Sequence, residues 1–314
     1  MQTKKSHVGP IENRSRIRLR SKMRANDTSH RICRASISSN HIRIAKAIAR
    51  AGLCSRREAE RWVLDGRVAV NDVRILSPAL NVGPDDKVVI DGKLLPEYKE
   101  TALWRYFKPK GLVTTHRDPQ NRPTVFQNLP QELPRVLSIG RLDFNSEGLL
   151  LLTTDGGLAR YIELPSTGWI RRYRVRAYGC LTEDVLKSLH NGVEIDGVRY
   201  GPIEAKLDSV KGNNCWISIG IREGKNREVR KILSSYGLQV NRLIRVSFGP
   251  FQLLDLKPGQ VAPVKRRVLI DQLGKNVAEK FGLQALPSVI TSKSPKPAFV
   301  RKVTKKLNCK RRKN

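Results

Sequence analysis

The most informative hydrophobic pattern lies in residues 138–156, which read SIGRLDFNSEGLLLLTTDG. The four leucines at 149–152 stand between turn-forming residues, and this arrangement predicts a short strand that is buried on both faces. Asp143 lies in the polar turn before the strand, where a rigid scaffold can hold a carboxylate. On these grounds alone, a structural role in which Asp143 bonds to the nearby backbone is equally well supported.

A second pattern predicts a small αβ domain over residues 41–100. Apolar residues at helical spacing predict a first helix that ends at Gly52: Ile44, Ala45, Ile48 and Ala49. Ser55 and Glu58 form a capping box, so a second helix should run from Ser55 to about Asp65. Residues 68–70 and 87–90 have the composition of strands.

Residues 101–273 contain two further periodic segments and should form a second domain. Residues 170–177 alternate with period two, with Tyr173, Val175 and Ala177 on one face and Arg172, Arg174 and Arg176 on the other. Asn226 is a suitable N-cap for a helix whose apolar stripe includes Val229 and Ile232 and which ends at Gly237. Arg230 borders this stripe, so we expect it to be partly buried.

The two ends of the chain are basic and lack apolar periodicity. Residues 1–40 hold ten Lys or Arg and two acids, and residues 287–314 hold ten Lys or Arg and no acid. We therefore expect disordered basic tails at 1–40 and 274–314. For 1–40, a transit peptide and a misassigned start, with Met23 or a nearby codon as the true start, remain open alternatives.

The net charge indicates which class of partner the protein binds. Sixty Lys and Arg against 28 Asp and Glu give a formal charge of +32, which favours nucleic acid as the partner. A membrane-spanning protein is excluded because no apolar run approaches the roughly 20 residues that a spanning helix needs. Five scattered cysteines without a CxxC pair disfavour structural zinc and indicate a reducing compartment, which we take to be the cytoplasm, or an organelle if 1–40 is a transit peptide.

Cofactor motifs are also missing from the sequence. The segment 220–226, GIREGKN, has three residues between its glycines instead of the four of a phosphate-binding loop, and no Ser or Thr follows the lysine. The five histidines show no paired spacing. We therefore expect neither a bound nucleotide, nor a metal, nor another cofactor.

Two stretches resemble known families. The segments GRLD at 140–143, SEGLLLLT at 146–153 and DG at 155–156 resemble the catalytic signature of the pseudouridine synthases that modify ribosomal RNA, the RsuA/RluB family. That family usually has Asn where this chain has Thr154. Residues 52–71, GLCSRREAERWVLDGRVAVN, resemble the RNA-binding fold named after ribosomal protein S4.

The resemblance implies a fold and catalytic residues. It implies an α+β protein in which the small RNA-binding domain precedes a catalytic domain with a mixed or antiparallel sheet and a central cleft. Asp143 would be the catalytic residue, Tyr173 would pack against the target base, and Arg230 would pair with Asp143 and keep it charged. Arg141 would fill the gap that the displaced nucleotide leaves, or bind a flanking phosphate.

The basic residues of the same motifs are candidates for RNA contact. Arg56 and Arg57 begin a helix, whose N-terminus attracts anions. Lys108 and Lys110 lie in a KPKG turn that either meets the RNA backbone or is merely structural. Lys225 and Arg227 belong to the third family motif, IREGKNREVRKIL, at 221–233.

These observations predict a ribosomal RNA pseudouridine synthase that isomerises one uridine, with the large-subunit (23S) RNA favoured by the basic C-terminal tail. The alternatives are a small-subunit enzyme and a non-catalytic RNA-binding factor of ribosome assembly. A nuclease or hydrolase is disfavoured because it would normally need a cluster of metal ligands. Ribosomal RNA is the expected partner, and nothing in the sequence demands more than a monomer.

Overall fold

The computed structural model describes residues 41–97 and 100–283. The predicted tail at 1–40 and residues 284–314 of the second tail lie outside this part of the chain. The described residues form an α+β protein with a small N-terminal domain and a larger domain built on a mixed sheet, as the sequence predicted.

The N-terminal domain packs two helices against short strands. A four-stranded antiparallel sheet has the order β3-β2-β5-β6, and β1 pairs separately with β4. Its elements are β1 (Ile42–Arg43), α1 (Ile44–Arg50), α2 (Arg56–Leu64), β2 (Val68–Val70), β3 (Val73–Ile75), β4 (Asn81–Val82), β5 (Val88–Ile90) and β6 (Lys93–Leu94).

Both predicted helices of this domain are confirmed. The Ser55 side chain accepts a hydrogen bond from the Glu58 backbone N–H at 3.2 Å, so the N-cap lies where the sequence placed it. Ile44 and Ile48 of α1 meet Ala59 and Val63 of α2 in a buried core, and each of the four is fully inaccessible to solvent.

The larger domain is built on a nine-stranded sheet with the order β13-β14-β10-β15-β9-β7-β17, to which β16 adds beside β15 and β8 beside β9. The strands of this sheet are β7 (Leu103–Lys108), β8 (Leu137–Ile139), β9 (Glu147–Thr153), β10 (Arg171–Tyr178), β13 (Glu204–Lys211), β14 (Asn214–Ile221), β15 (Gln239–Phe248), β16 (Phe251–Gln252) and β17 (Val261–Pro263). Two further strands, β11 (Val193–Ile195) and β12 (Val198–Tyr200), pair with each other in a separate two-stranded sheet. Its helices are α3 (Gly156–Glu163), α4 (Glu183–Asn191), α5 (Glu228–Ser235), α6 (Arg266–Leu273) and α7 (Lys275–Lys280), with short 3-10 turns at Phe126–Asn128 and Pro165–Thr167.

Strand β9 is the centre of this domain. Its side chains alternate between two cores: Leu150 and Leu152 belong to the core that contains α4 and α5, whereas Leu149 and Leu151 belong to the core that contains α3, α6 and α7. All four leucines are completely buried, which confirms the prediction of a strand covered on both faces.

The parallel contact between β9 and β15 requires Gly148. Ile244 aligns with Glu147 and Arg245 with Gly148 in the only parallel strand pair of the described sheets. Gly148 has a φ of +104°, and a Cβ at this position would lie 2.3 Å from the Arg245 carbonyl oxygen. Only glycine therefore permits the two backbones to approach here, next to the loop that carries Asp143.

The two domains meet at the start of α3. The Asp155 carboxylate accepts hydrogen bonds from the backbone N–H groups of Gly157 and Leu158, and its other oxygen lies 3.0 Å from the Arg50 guanidinium of α1. Asp155 thus caps a helix of one domain and binds a cation from the other.

The predicted boundary of the second tail at residue 274 is wrong. The fold continues through α7, and both Ala278 and Leu283 are 1 % exposed within the core that also holds Leu149. Basic composition suggested a tail here, but two apolar side chains at suitable spacing are enough to attach a short helix. No helix within residues 41–97 and 100–283 has the length and apolar character needed to cross a membrane.

Candidate active site

A cleft of about 640 Å³ is lined by side chains of β10, β14 and β15, of the start of α5 and of the end of α3. Asp143 and Tyr173, two of the three predicted catalytic residues, line it together with Arg141, Lys225 and Arg227. In total, eight basic side chains and four carboxylic acids line the cleft, so it favours a negatively charged ligand. The basic residues are Arg117, Arg122, Arg141, Arg160, Arg171, Lys225, Arg227 and Arg245.

The loop that carries Asp143 is fixed through its backbone. Every carbonyl oxygen from residue 142 to residue 146 accepts a hydrogen bond, and four donors lie outside the loop. They are Thr114 Oγ1 to Leu142 O (2.8 Å), Lys108 Nζ to Asp143 O (3.1 Å) and Ser146 O (2.9 Å), Gly111 N to Phe144 O (2.9 Å) and Arg230 Nη2 to Asn145 O (2.9 Å). The Ser146 N–H also donates to Asp143 O at 3.0 Å and closes a tight turn. The carboxylate is therefore aimed by a rigid backbone.

Lys108 is the main donor, and its predicted contact with RNA is wrong. The residue is 0 % exposed, and its ammonium donates to three carbonyls, those of Pro109, Asp143 and Ser146. An ammonium has three protons, so its donors are fully used. Burial lowers the pKa of Lys108 to about 8, although the carboxylates of Asp143 and Glu147 act in the opposite direction. The alternative of a structural turn is the correct one for this residue.

The cation beside Asp143 is Arg227, not Arg230 as expected. Arg227 Nη1 lies 3.6 Å from Asp143 Oδ2, and the two side chains are 47 % and 32 % exposed. Arg230 instead donates to the carbonyls of Val240 (3.1 Å) and Asn145 (2.9 Å) and is not among the residues that line the cleft. Burial lowers the pKa of Arg230, with further lowering by Arg227 and an opposing effect of Asp143.

The position at which α5 begins explains why Arg227, and not Arg230, lies beside Asp143. Helix α5 begins at Glu228 with Arg227 as its N-cap, one residue later than the predicted Asn226. Arg227 has a φ of +50°, a left-handed conformation that is costly for a residue with a Cβ. Strain of this kind occurs where a side chain must be aimed, and here it accompanies the approach of Arg227 to Asp143.

Tyr173 lies where the alternating pattern placed it. It is 9 % exposed, on the buried face of β10 with Val175 and Ala177, while Arg172, Arg174 and Arg176 are exposed. Apolar residues form the wall of the cleft around it: Leu142, Ile221, Val229, Leu243 and Phe248. The cleft thus combines a ring and an apolar wall, suited to a flat base, with a cationic rim.

Sequence reasoning missed two buried arginines at the base of the cleft. Arg171 is 6 % exposed and donates to the carbonyls of Glu163 and Arg222, while Arg245 is 3 % exposed and donates to the Leu149 carbonyl at 2.7 Å. Both guanidinium groups lie over the Phe248 ring, at 4.6 and 5.2 Å from its centre. The period-two pattern could have identified Arg171, since it shares the buried face with Tyr173.

Glu228, also missed, is a buried acid in the wall of the cleft. It is 3 % exposed, and its Oε2 accepts the Lys225 backbone N–H at 2.9 Å. Its Oε1 has no fixed donor among the described residues, and the adjacent Glu223 carboxyl can be its partner only when one of the two acids is protonated. Burial, assisted by Glu223, raises the pKa of Glu228 to about 7 against the effects of the Lys225 backbone and ammonium.

The remaining candidates for RNA contact differ in whether their side chains are exposed and free of other partners. Arg56, Arg57 and Lys110 are exposed but do not line the cleft, and Arg141 is exposed at its rim. The Lys225 ammonium is occupied by the Glu223 carboxylate (2.6 Å) and the Arg199 carbonyl (2.5 Å), which argues against a free contact there. Residues 41–97 and 100–283 contain no group of three or more potential metal ligands.

Replacing Lys108 with Met should destabilise the protein by about 2–4 kcal/mol. Buried carbonyls without a donor cost about 1–3 kcal/mol each, and removal of a buried ammonium returns part of its desolvation cost. The free energy of unfolding from urea titration measures the effect. Lys110→Met, two residues away on an exposed turn, is the matched control and should stay within about 0.5 kcal/mol of wild type. Equal losses in both variants would contradict the assigned role of Lys108.

The stability of Glu228→Gln relative to wild type should depend on pH. Folding raises the pKa of Glu228 to about 7 from its ordinary value of 4.5. The free energy of unfolding of the wild type is therefore highest below pH 4.5, where Glu228 is protonated in both states, and it falls as the pH rises through 7. Glutamine stays neutral, so the variant should match wild type near pH 4.5 and exceed it by about 1–3 kcal/mol at pH 8. Urea titrations at the two pH values measure this, with the exposed Glu183→Gln as control. A difference that does not change with pH would show that folding does not raise the pKa of Glu228.

Comparison with known proteins agrees with this geometry. Residues 42–88 match the S4 domain, and residues 103–235 match the RNA pseudouridylate synthase family. An RNA pseudouridine synthase from Rickettsia felis, whose own function is uncharacterised, is 49 % identical over 227 residues, which are 72 % of this chain and 98 % of the relative.

Two further relatives are similar along most of the chain. The ribosomal large subunit pseudouridine synthase B of Salmonella typhi is 40 % identical over 67 % of this chain and 75 % of its own length. A crystal structure of a pseudouridylate synthase superposes with a TM-score of 0.53 at 26 % identity, covering 74 % of this chain and all of that one. The chain therefore belongs to the RNA pseudouridine synthases, with an S4 domain ahead of the catalytic domain.

Proposed function

We propose that this enzyme converts one uridine of large-subunit ribosomal RNA to pseudouridine, with Asp143 as the catalytic residue. The observation that carries the proposal is the meeting of Asp143, Tyr173 and Arg227 in a single basic cleft of a chain that belongs to this family. The large-subunit substrate rests on relatives named for it, such as the Salmonella typhi protein.

The reaction breaks the bond between N1 of uracil and C1′ of ribose, and joins C1′ to C5 of the rotated base. The proton on C5 leaves and N1 gains one, so the reaction needs no oxidant and consumes no water. Asp143 acts either as the nucleophile or as the base that removes a proton, and both roles require its ionised form. The Arg227 guanidinium lies 3.6 Å from the carboxylate and places a positive charge beside it.

The other residues hold the base and the RNA. A uridine within folded RNA must be flipped out of its stack, which costs a few kcal/mol. Tyr173 offers a ring for the flipped uracil, and the exposed Arg141, at the rim of the cleft, takes either the vacated position or a flanking phosphate. Arg56 and Arg57, exposed at the start of α2, supply phosphate contacts from the S4 domain. A monomer that acts in the cytoplasm stays a prediction.

Asp143→Asn should lower the rate of pseudouridine formation by at least about 10²–10⁴-fold without loss of RNA binding. Pseudouridine mapping of ribosomal RNA from cells that lack the gene, complemented with wild type or variant, measures this. Glu163→Gln is the matched control, because it removes the same charge from an exposed position in the same cleft. We expect it to restore the modification.

Each other outcome of the mapping has a definite meaning. If cells that lack the gene lose a pseudouridine from the small-subunit RNA instead of the large-subunit RNA, the small-subunit RNA is the substrate. Restoration by Asp143→Asn as complete as by wild type would exclude the assigned catalytic residue. An unchanged map in the cells that lack the gene would favour a non-catalytic RNA-binding role.

A further inference from the structure

The outer face of the sheet, opposite the cleft, carries a row of cations. Strand β10 presents Tyr173 and Val175 to the interior and Arg172, Arg174 and Arg176 to solvent. Cross-strand neighbours extend the row, because Arg176 aligns with Arg242 of β15 on one side and with Trp216 of β14 on the other. We call the part of this surface that extends along β10 from Arg172 to Arg176 the arginine face; its cations, with those of the neighbouring strands and of Arg222, are Arg172, Arg174, Arg176, Lys206, Arg222 and Arg242.

The positive charge of the arginine face is only partly neutralised. Three carboxylates lie among its six cations: Glu204 beside Arg172 and Arg222, Glu147 beside Arg242, and Asp208, which accepts a hydrogen bond from Ser218. Six cations and three carboxylates leave a net charge of +3. Arg174, Arg176 and Lys206 have no ion-pair partner among residues 41–97 and 100–283. Arg174 and Arg176 are adjacent on the same side of one strand, so they lie about 7 Å apart.

An aromatic side chain interleaves with these cations. The Arg174 guanidinium carbon lies over the Trp216 ring, 4.7 Å from its centre, in a cation–π contact. A guanidinium that is already ordered by such a contact loses less freedom when its donors bind a ligand. Phosphate oxygens are the acceptors that such a group binds best.

The charge and the side chains of this surface indicate which class of ligand binds there. Like-charged segments are repelled, and the basic segments 1–40 and 284–314 of this chain have the same sign as the arginine face. The Trp216 ring lies among the cations, and the 47 % exposed Tyr178 follows Arg176 on the same side of β10. Cations that bind phosphates and rings that stack with bases together suit a nucleic acid, and RNA is the nucleic acid that this family acts on.

We propose that the arginine face is a second RNA-contact surface, which binds the phosphate backbone of the same RNA whose target nucleotide enters the cleft on the opposite side of the sheet. This inference rests on the proposed function only in taking ribosomal RNA as the ligand. Tyr173 and the arginine face lie on opposite sides of β10, and Lys206 lies on the edge strand β13.

The test removes the three cations that lack ion-pair partners, so that no carboxylate loses its partner. The triple variant Arg174→Gln, Arg176→Gln, Lys206→Gln is compared with wild type for binding to a transcript of large-subunit ribosomal RNA over a range of salt concentrations. Each phosphate contact contributes about 0.7–0.9 to the slope of log affinity against log salt, so the slope should become less steep by about 2–3. Thermal unfolding confirms that the variant is folded.

A matched control distinguishes an effect of the arginine face from an effect of the protein's net charge. The variant Arg267→Gln, Lys275→Gln, Lys280→Gln removes the same charge from exposed positions on α6 and α7 and should leave the slope unchanged. An unchanged slope in the first variant, or an equal change in both variants, would overturn the proposal. Loss of binding to vesicles of anionic phospholipid, with RNA binding intact, would also overturn it, since the arginine face would then bind lipid.

The outcome is independent of the proposed reaction. Asp143→Asn should bind the same transcript with the wild-type slope, because its backbone and the arginine face are unaltered. Full turnover by Asp143→Asn would refute the catalytic assignment and leave the arginine face supported. A slope unchanged in the triple variant would refute the arginine face and leave the catalytic assignment supported.

Discussion

The candidate active site depends on one constraint, the anchoring of the backbone of residues 142–146 by donors from elsewhere in the fold. The buried ammonium of Lys108, at the end of β7, binds the carbonyls of Asp143 and Ser146. Gly111, Thr114 and Arg230 supply the other donors. A buried cation is costly unless its donors are satisfied, and here three carbonyls satisfy it. The same bonds therefore stabilise the lysine and fix the loop, so that Asp143 is positioned before any RNA binds.

Two arginines divide the tasks around Asp143. Arg230 is half-buried and holds the carbonyls of Asn145 and Val240, so its contribution is to the backbone. Arg227 is about half exposed, and ion pairs in such positions are worth roughly 0–1 kcal/mol, so its pairing with Asp143 adds little stability. It adds instead a positive charge beside the carboxylate. The left-handed backbone of Arg227 is a cost that packing of α5 must offset.

Periodicity predicted most of the fold because burial imposes it: the leucines of β9, the alternation of β10 and the apolar stripe of α5 were all readable from the sequence. Family resemblance added Asp143 and Tyr173, which the structure places in the same cleft. The sequence could not show whether Arg227 or Arg230 approaches Asp143, because the two are only three residues apart. The left-handed backbone conformation of Arg227, which accompanies its approach to Asp143, cannot be predicted from the sequence pattern. Nor could it distinguish the buried Lys108 from the exposed Lys110, since a basic turn has the same composition whichever side chain faces inward.

The most direct test of the division between backbone anchoring and charge compares Arg230→Gln with Arg227→Gln in both stability and turnover. Arg230→Gln should lower the free energy of unfolding by about 1–3 kcal/mol, because two carbonyls lose their donor. Arg227→Gln should change it by less than about 1 kcal/mol and yet lower kcat at least about tenfold, because the positive charge beside the Asp143 carboxylate is lost while the backbone hydrogen bonds of the loop remain. If Arg227→Gln instead reduces stability as Arg230→Gln does and leaves kcat unchanged, Arg227 does not have the role assigned to it.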